Sequence, residues 1–173
     1  MVEPVFVLGI DPGLSRCGYA CLQTGPRSQV RAIALGVITT PAAAPLPQRL
    51  AELRRELAAL IAEQRPDVVV VEHVFFQVNV RTAMSVGQAS GLALAEAAAA
   101  GCEVVQYTPN QVKETVAGWG SAGKEQIQRM VQARLGLATP PRPADAADAA
   151  ALALTHIAVA PLRARLAAQG VAR

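Results

Sequence analysis

A few acidic residues stand out in this sequence because of where they lie. The chain has only four Asp residues, and three of them fall in distinctive segments: Asp11, Asp145 and Asp148. Asp11 directly follows the apolar run 5–10 and precedes a Pro-Gly pair, a pattern that predicts a buried strand ending at a turn. Glu72 ends a second apolar run, residues 68–71, in the same way. Two predicted strands therefore end in a carboxylate.

The order of predicted elements brings these acids together. A strand, a helix and a further strand in succession predict two parallel neighbours, whose carboxyl ends meet at one edge of the sheet. Ligands bind at that edge in sheets of this type. Asp145 and Asp148 are three residues apart, so they share one face of a predicted helix, close to its positive N-terminal end. We therefore expect all four carboxylates to lie in one site.

Four neighbouring carboxylates imply a bound cation. Without one, each negative charge would raise the pKa of the others. Oxygen ligands without His or Cys favour Mg²⁺ or Mn²⁺ over Zn²⁺. Two such ions about 4 Å apart can activate a water and stabilise the leaving oxygen of a phosphodiester. The sequence thus leads to the hypothesis of a two-metal nuclease.

Each acid also has a simpler explanation when it is taken alone. Asp11 could start a turn, and Glu72 could pair with an arginine at the sheet edge. Asp145 could be a helix N-cap, and Asp148 could stabilise the helix dipole. These roles stay open for single residues, whereas one shared site accounts for all four.

Hydrophobic periodicity and turn residues predict the remaining elements. The first strand starts an antiparallel meander, which a Pro/Ala loop ends. Five helices and two more strands follow, the last helix running from near Asp145 through Thr155 and leading to a basic tail that can fray. The expected segments are strands at 5–11, 17–23, 29–39, 67–72 and 103–107, helices at 46–61, 82–100, 108–113, 124–135 and 145–155, a Gly-rich loop at 118–123 around the only Trp, and the tail at 161–173.

Composition limits the class of protein. A length of 173 residues suits one domain, and 52% hydrophobic residues exclude a disordered chain. Much of that apolar content is Ala, so we expect no membrane-spanning stretch, and the N-terminus does not resemble a signal peptide. Three Cys residues without metal-ligand spacing favour a reduced, cytoplasmic protein. The net charge is +3, and the basic residues are almost all Arg, which permits a nucleic-acid partner. A GC-rich genome would explain the Arg and Ala content equally well.

Several sequence blocks, in order, resemble one known family over nearly the whole chain: the RuvC family of bacterial Holliday junction resolvases. The similar blocks are Gly-Ile-Asp-Pro-Gly (9–13), Glu-His-Val-Phe-Phe (72–76), Gly-Gln-Ala-Ser-Gly (87–91), Gln-Val-Lys (111–113), and Asp-Ala-Ala-Asp-Ala (145–149) with Thr155 and His156. One departure is His73, where the family commonly has Gln or Glu. His156 is expected to have a core or capping role.

The resemblance implies a fold and an activity. The fold would be α/β and RNase H-like, with a mixed five-stranded sheet flanked by helices. A homodimer would nick two opposed strands of a four-way DNA junction symmetrically and leave ligatable 5′-phosphate ends. That activity would serve recombination and DNA repair in the cytoplasm, together with the branch-migration proteins RuvA and RuvB.

The resemblance also implies roles for particular residues. Two Mg²⁺ ions, for which Mn²⁺ could substitute, would be held by the catalytic carboxylates Asp11, Glu72, Asp145 and Asp148. Lys113 and Lys124, the only lysines in the chain, would stabilise charge at the scissile phosphate. Phe75 would contact bases near the crossover, with a core position as its alternative, and Arg81 would bind DNA. The helix near 82–100, rich in small residues, would form the dimer interface.

Three rival functions remain from the sequence alone. An actin-like sugar kinase or ATPase shares the Ile-Asp-Pro-Gly pattern, but those proteins need two such domains, and tight ATP binding would reveal one. A noncatalytic junction-binding protein would need no Mg²⁺. A different RNase H-like nuclease would cleave RNA–DNA hybrids, and only a comparison of substrates distinguishes it.

Overall fold

Five strands form one mixed sheet in the computed structural model of the chain, which describes residues 3–26, 29–73 and 80–169, without the side chains of residues 80–82. The spatial order is β3-β2-β1-β4-β5. The first three strands are antiparallel, whereas β4 runs parallel to β1 and β5 parallel to β4. The predicted mixed five-stranded sheet is thus confirmed, with strands at Phe6–Asp11 (β1), Arg16–Thr24 (β2), Val30–Thr39 (β3), Val68–Glu72 (β4) and Glu103–Tyr107 (β5).

The two central parallel strands, β1 and β4, are buried on both faces. The four Val residues at the start of β4 are all buried, as are residues 7–10 of β1. Such continuous apolar runs are typical of parallel strands that are covered by helices on both sides. The register pairs Ile10 with Val71, so Asp11 and Glu72 are each one residue further along, at the same edge.

Helices cover both faces of this sheet. Two of them pack with Leu8, Ile10 and the Cys17 side of β2 on one face, and the other three pack with Val7, Val70 and Leu22 on the opposite face. The first pair is Leu46–Gln64 (α1) and Val80–Ala99 (α2), and the other three are Pro109–Ala117 (α3), Lys124–Leu135 (α4) and Ala144–Ala168 (α5).

Helix α5 lies unusually close to the sheet because two strand residues have no side chain. A Cβ atom added to Gly9 of β1 would meet the carbonyl group of Ala149, and one added to Gly18 of β2 would meet the backbone of Asp145. Residues 145, 149 and 153 form one stripe of α5, four residues apart, and face these strands. The two glycines therefore allow the first turns of α5 to lie directly over the last part of β1 and the start of β2.

The end of α5 differs from the sequence expectation. The helix continues through Pro161 to Ala168, so the prediction of its end near Thr155 and of a tail from residue 161 is wrong for residues 161–168. Arg163 donates a hydrogen bond from Nη1 to the Tyr107 hydroxyl (3.3 Å), which in turn contacts His156 Nδ1 at 3.1 Å. These contacts join the helix to β5 on both sides of Pro161, which lacks the N–H for one backbone hydrogen bond of the helix. His156 is buried, as expected of a core residue.

By length and composition alone, α5 is apolar enough to cross a membrane, contrary to the sequence expectation. It is the one such helix in the described parts of the chain, and 56% of its apolar stretch is buried inside the protein. That burial explains its composition, because a helix packed closely on a sheet needs small apolar residues over much of its surface.

Candidate active site

Strand alternation places the two strand carboxylates on the same face of the sheet. Side chains of a strand alternate between faces with a period of two. In β1, Val7 and Gly9 face α5, so Asp11 points to that face as well. In β4, Val68 and Val70 belong to the same side of the core, so Glu72 does too. Parallel pairing and alternation together bring Asp11 and Glu72 side by side beneath α5.

Helix α5 adds the other two carboxylates from its first turns. The helix begins at Ala144, and its N-cap residue is Pro143, so Asp145 is not the N-cap that the simpler explanation required. Asp145 lies against β2 at Gly18, which pairs with Asp11 in the sheet register. The charge of Asp148 acts on Asp11, on Glu72 and on Lys124 across the same space. Residues far apart in sequence thus form one acidic cluster.

Asp11 carries the strongest electrostatic perturbation in the cluster. Its pKa is raised from 3.8 to about 7, first by burial and then by the negative charges of Glu72, Asp148 and Asp145. Lys124 opposes this shift only in part. Ionisation of Asp11 is therefore unfavourable without a cation, first because the side chain is buried and then because Lys124 offsets the neighbouring negative charges only in part.

Glu72 and Asp148 are perturbed in the same direction. Burial raises the pKa of Glu72, and the charge of Asp148 adds to the effect, while Lys124 and Lys113 lower it. Burial also raises the pKa of Asp148, and Lys124 opposes that rise from 3.8 Å away. Both lysines that the family resemblance selected therefore act on the acidic cluster through their charge.

Asp145 differs from the other three acids because it has an arginine partner. Arg16, the first residue of β2, donates hydrogen bonds from Nε (3.0 Å) and Nη2 (2.8 Å) to Oδ2 of Asp145. This pairing lowers the pKa of Asp145 below its usual value. Sequence reasoning missed Arg16, since an arginine 129 positions before its partner gives no local signal.

The segment between Asp11 and Arg16 is braced from α1. Arg49 donates from Nε to Thr40 Oγ1 (3.0 Å) and from Nη2 to Ser15 Oγ (2.6 Å). The buried Thr40 hydroxyl donates in turn to the carbonyl oxygen of Leu14 at 2.6 Å. These bonds fix the turn that follows Asp11 and hold the start of β2, where Arg16 lies.

The acidic cluster fits a hard divalent cation. Its donors are carboxylate oxygens, and their raised pKa values are those that a nearby positive charge would lower. Within the described residues, no three His, Cys, Asp or Glu side chains converge tightly enough to enclose a metal by themselves. Mg²⁺ is usually bound in such an open way, through one or two carboxylates, with waters and substrate phosphates as its other ligands.

Other predicted site residues have different outcomes. Phe75 lies outside the described residues, and the side chain of Arg81 is not described, so their predicted DNA contacts stay predictions. The simpler role for Glu72 is not supported, because Glu72 forms no ion pair with an arginine in the part of the chain that the structure describes. Trp119, in the Gly-rich loop that precedes Lys124, has half of its surface exposed.

Comparisons with known proteins agree with this site and fold. Residues 7–156 match the family model described as "Crossover junction endodeoxyribonuclease RuvC". A curated protein of that description from Salinispora arenicola is 52% identical over 162 residues, which cover 94% of this chain and 93% of the relative. The solved structure of Thermus thermophilus RuvC is 35% identical, with a TM-score of 0.84 and coverage of 92% and 97%. Its complex with a Holliday junction substrate is 34% identical, with a TM-score of 0.83 and coverage of 91% and 96%. The chain therefore belongs to the RuvC family of crossover junction endodeoxyribonucleases, and it has their RNase H-like fold.

Proposed function

We propose that this protein is a structure-selective endonuclease that resolves four-way DNA junctions by paired, symmetric nicks in recombination and DNA repair. The observation that carries the proposal is the acidic cluster, in which Asp11, Glu72 and Asp148 all have raised pKa values. Family membership supports the substrate, since a relative of known structure was solved with a Holliday junction. Mg²⁺ is the proposed physiological cofactor, and Mn²⁺ is a substitute with the same oxygen ligands.

The proposed roles of the residues follow from their positions. Asp11 and Glu72, fixed on adjacent rigid strands, would bind the cations at a constant separation, and Asp145 and Asp148 would complete the site from α5. Two bound ions would supply the activation of a water and the stabilisation of the leaving oxygen. Lys124, which already offsets charge on the cluster, would lie beside the scissile phosphate and stabilise the charge that develops there.

We also propose a homodimer, because two opposed strands must be cut symmetrically. Gly87 and Gly91 of α2 have open space where a side chain would lie, and Met84 is 59% exposed on the same helix. Small residues beside an exposed apolar side chain suit the close approach of a second helix.

We further propose four-way junction DNA, RuvA and RuvB as partners of this protein, and Phe75 and Arg81 as its DNA contacts. We also propose that the chain is a single domain and that the protein is cytoplasmic.

The decisive experiment compares substrates in Mg²⁺. A labelled synthetic four-way junction, in several core sequences, is incubated beside a linear duplex and an RNA–DNA hybrid of matching sequence. We expect paired nicks at symmetric positions in the junction alone. Cleavage of the hybrid in preference to the junction would move the function to another RNase H-like nuclease, and binding without cleavage in Mg²⁺ or Mn²⁺ would leave a noncatalytic junction-binding protein.

Asp11→Asn provides the matched control for this assay. The substitution keeps the size of the side chain and removes its charge, so we expect cleavage to be abolished and junction binding to persist. Equal loss of cleavage and binding would contradict the role of Asp11 as a metal ligand. Symmetric nicking also requires a dimeric enzyme. We therefore expect light scattering to give the active species the mass of a dimer.

A further inference from the structure

The two acids of α5 differ from the two strand acids in having cationic partners. Arg16 contacts Asp145 at 2.8 Å, and Lys124 lies 3.8 Å from Asp148. Asp11 and Glu72, in contrast, form no ion pair within the described residues. A side-chain cation therefore pairs with each acid that α5 contributes, although Lys124 offsets the charge of Asp148 only in part.

The Arg16 contact is built to hold one carboxylate oxygen. Both Nε and Nη2 donate to Oδ2 of Asp145, a two-point contact that a lysine could not reproduce. Yet the Arg16 side chain is 50% exposed. An exposed ion pair of this kind contributes little net stability, so a divalent cation or a phosphate can break it.

We propose that Arg16 is an exchangeable counter-ion, which occupies Asp145 in the DNA-free protein and moves to a backbone phosphate when the cation and the DNA bind. This inference rests on the proposed nuclease function. A cation that uses Oδ2 of Asp145 must displace the guanidinium. A DNA phosphate then offers the guanidinium anionic oxygens in place of Oδ2. Arg16 is thus a positioning residue that holds Asp145 in place before the site is loaded.

The exchange couples two binding events. Breaking the contact between Arg16 and Asp145 costs free energy, and this cost weakens cation binding when DNA is absent. A phosphate that accepts Arg16 removes the cost. By linkage, DNA raises cation affinity, and the cation raises DNA affinity by the same factor. The site would then bind its metal more tightly in the DNA complex than in the free enzyme.

The test measures binding and not cleavage. Calorimetry determines the affinity of the free protein for Ca²⁺, which takes the same oxygen ligands, and then its affinity in the presence of saturating junction. A gel of each sample verifies that the DNA stays uncut. For Arg16→Gln we expect Ca²⁺ to bind the free protein about two- to fivefold more tightly than it binds wild type. We also expect the enhancement by DNA to shrink by the same factor.

A second readout follows the arginine to the DNA. If Arg16 reaches a phosphate in the complex, Arg16→Gln should reduce the slope of log affinity against log salt by about 1. The control is Arg54→Gln. Arg54 forms a similarly exposed ion pair with Glu96 at 2.6 Å, which joins α1 to α2 on the other face of the sheet. The control should change neither the Ca²⁺ affinity nor the salt slope.

The outcomes separate this inference from the function on which it rests. Unchanged Ca²⁺ affinity in Arg16→Gln, or an unchanged salt slope, would overturn the exchange while leaving the nuclease intact. If wild type binds neither Ca²⁺ nor junctions, the proposed function itself fails. A similar melting temperature for Arg16→Gln and wild type would verify that the exposed substitution leaves the fold unaltered.

Discussion

Asp11→Asn should inactivate the enzyme and stabilise its fold at the same time. The folded protein holds a proton on Asp11 more tightly than the unfolded chain does, because its pKa is raised from 3.8 to about 7. Between pH 3.8 and 7 the folded protein binds more protons at Asp11 than the unfolded chain does. The free energy of unfolding therefore falls as the pH rises through this range. Asn carries no charge, so the variant avoids this loss.

The size of the effect follows from the two pKa values. Each pKa unit corresponds to about 1.4 kcal/mol, so the loss from Asp11 is about 2 kcal/mol at pH 5 and about 4 kcal/mol at pH 8. The pH-independent part of the substitution cancels when the two conditions are compared. The advantage of Asp11→Asn should thus grow by about 2–3 kcal/mol between pH 5 and pH 8, or roughly 5–10 °C in melting temperature.

The assay is urea or thermal unfolding of both proteins in EDTA across this pH range. Asp145→Asn is the matched control. Arg16 lowers the pKa of Asp145, so the charged form of Asp145 stabilises the fold, and we expect Asp145→Asn to be destabilising between pH 5 and pH 8. Added Mg²⁺ should reduce the advantage of Asp11→Asn, since a bound cation offsets the charge that the variant removes. An advantage that stays constant or falls from pH 5 to pH 8 would refute the assignment of uncompensated charge to Asp11.

Three further predictions concern packing, DNA contact and charge. Gly18→Ala should lower the free energy of unfolding by about 1–3 kcal/mol and abolish cleavage, because the added methyl group forces the start of α5 away from β2. In the same urea titration, the control Gly123→Ala, in open space at the start of α4, should lie within about 1 kcal/mol of wild type. Phe75→Ala should weaken junction cleavage at an unchanged melting temperature, and a large drop in that temperature would mean a core residue. Lys124→Ala should move the midpoint of the cleavage pH profile upward, since its charge lowers the pKa values of Asp11, Glu72 and Asp148; an unmoved midpoint would show that Lys124 is too far away to act.

The sequence by itself determined the strands, most of the helices and the four acids. These features depend on local patterns: apolar runs that end in a carboxylate, helical spacing, and a period of two that fixes the face of each strand residue. Knowing that β1 and β4 are parallel neighbours was then sufficient to place Asp11 beside Glu72. The family resemblance added the substrate and the lysines, which no periodicity could supply.

Only the tertiary structure decided how the four acids differ. Arg16 and Asp145 are 129 positions apart, and their contact exists because Gly18 lets α5 approach β2. Burial and neighbouring charges then raise the pKa of Asp11, whereas the Arg16 pair lowers that of Asp145. Beyond Pro161, α5 likewise contacts a residue distant in sequence, through the hydrogen bond from Arg163 to Tyr107. Local sequence fixes which groups line an edge, but the pKa of each group is set by charges and burial that only the packed chain brings within reach.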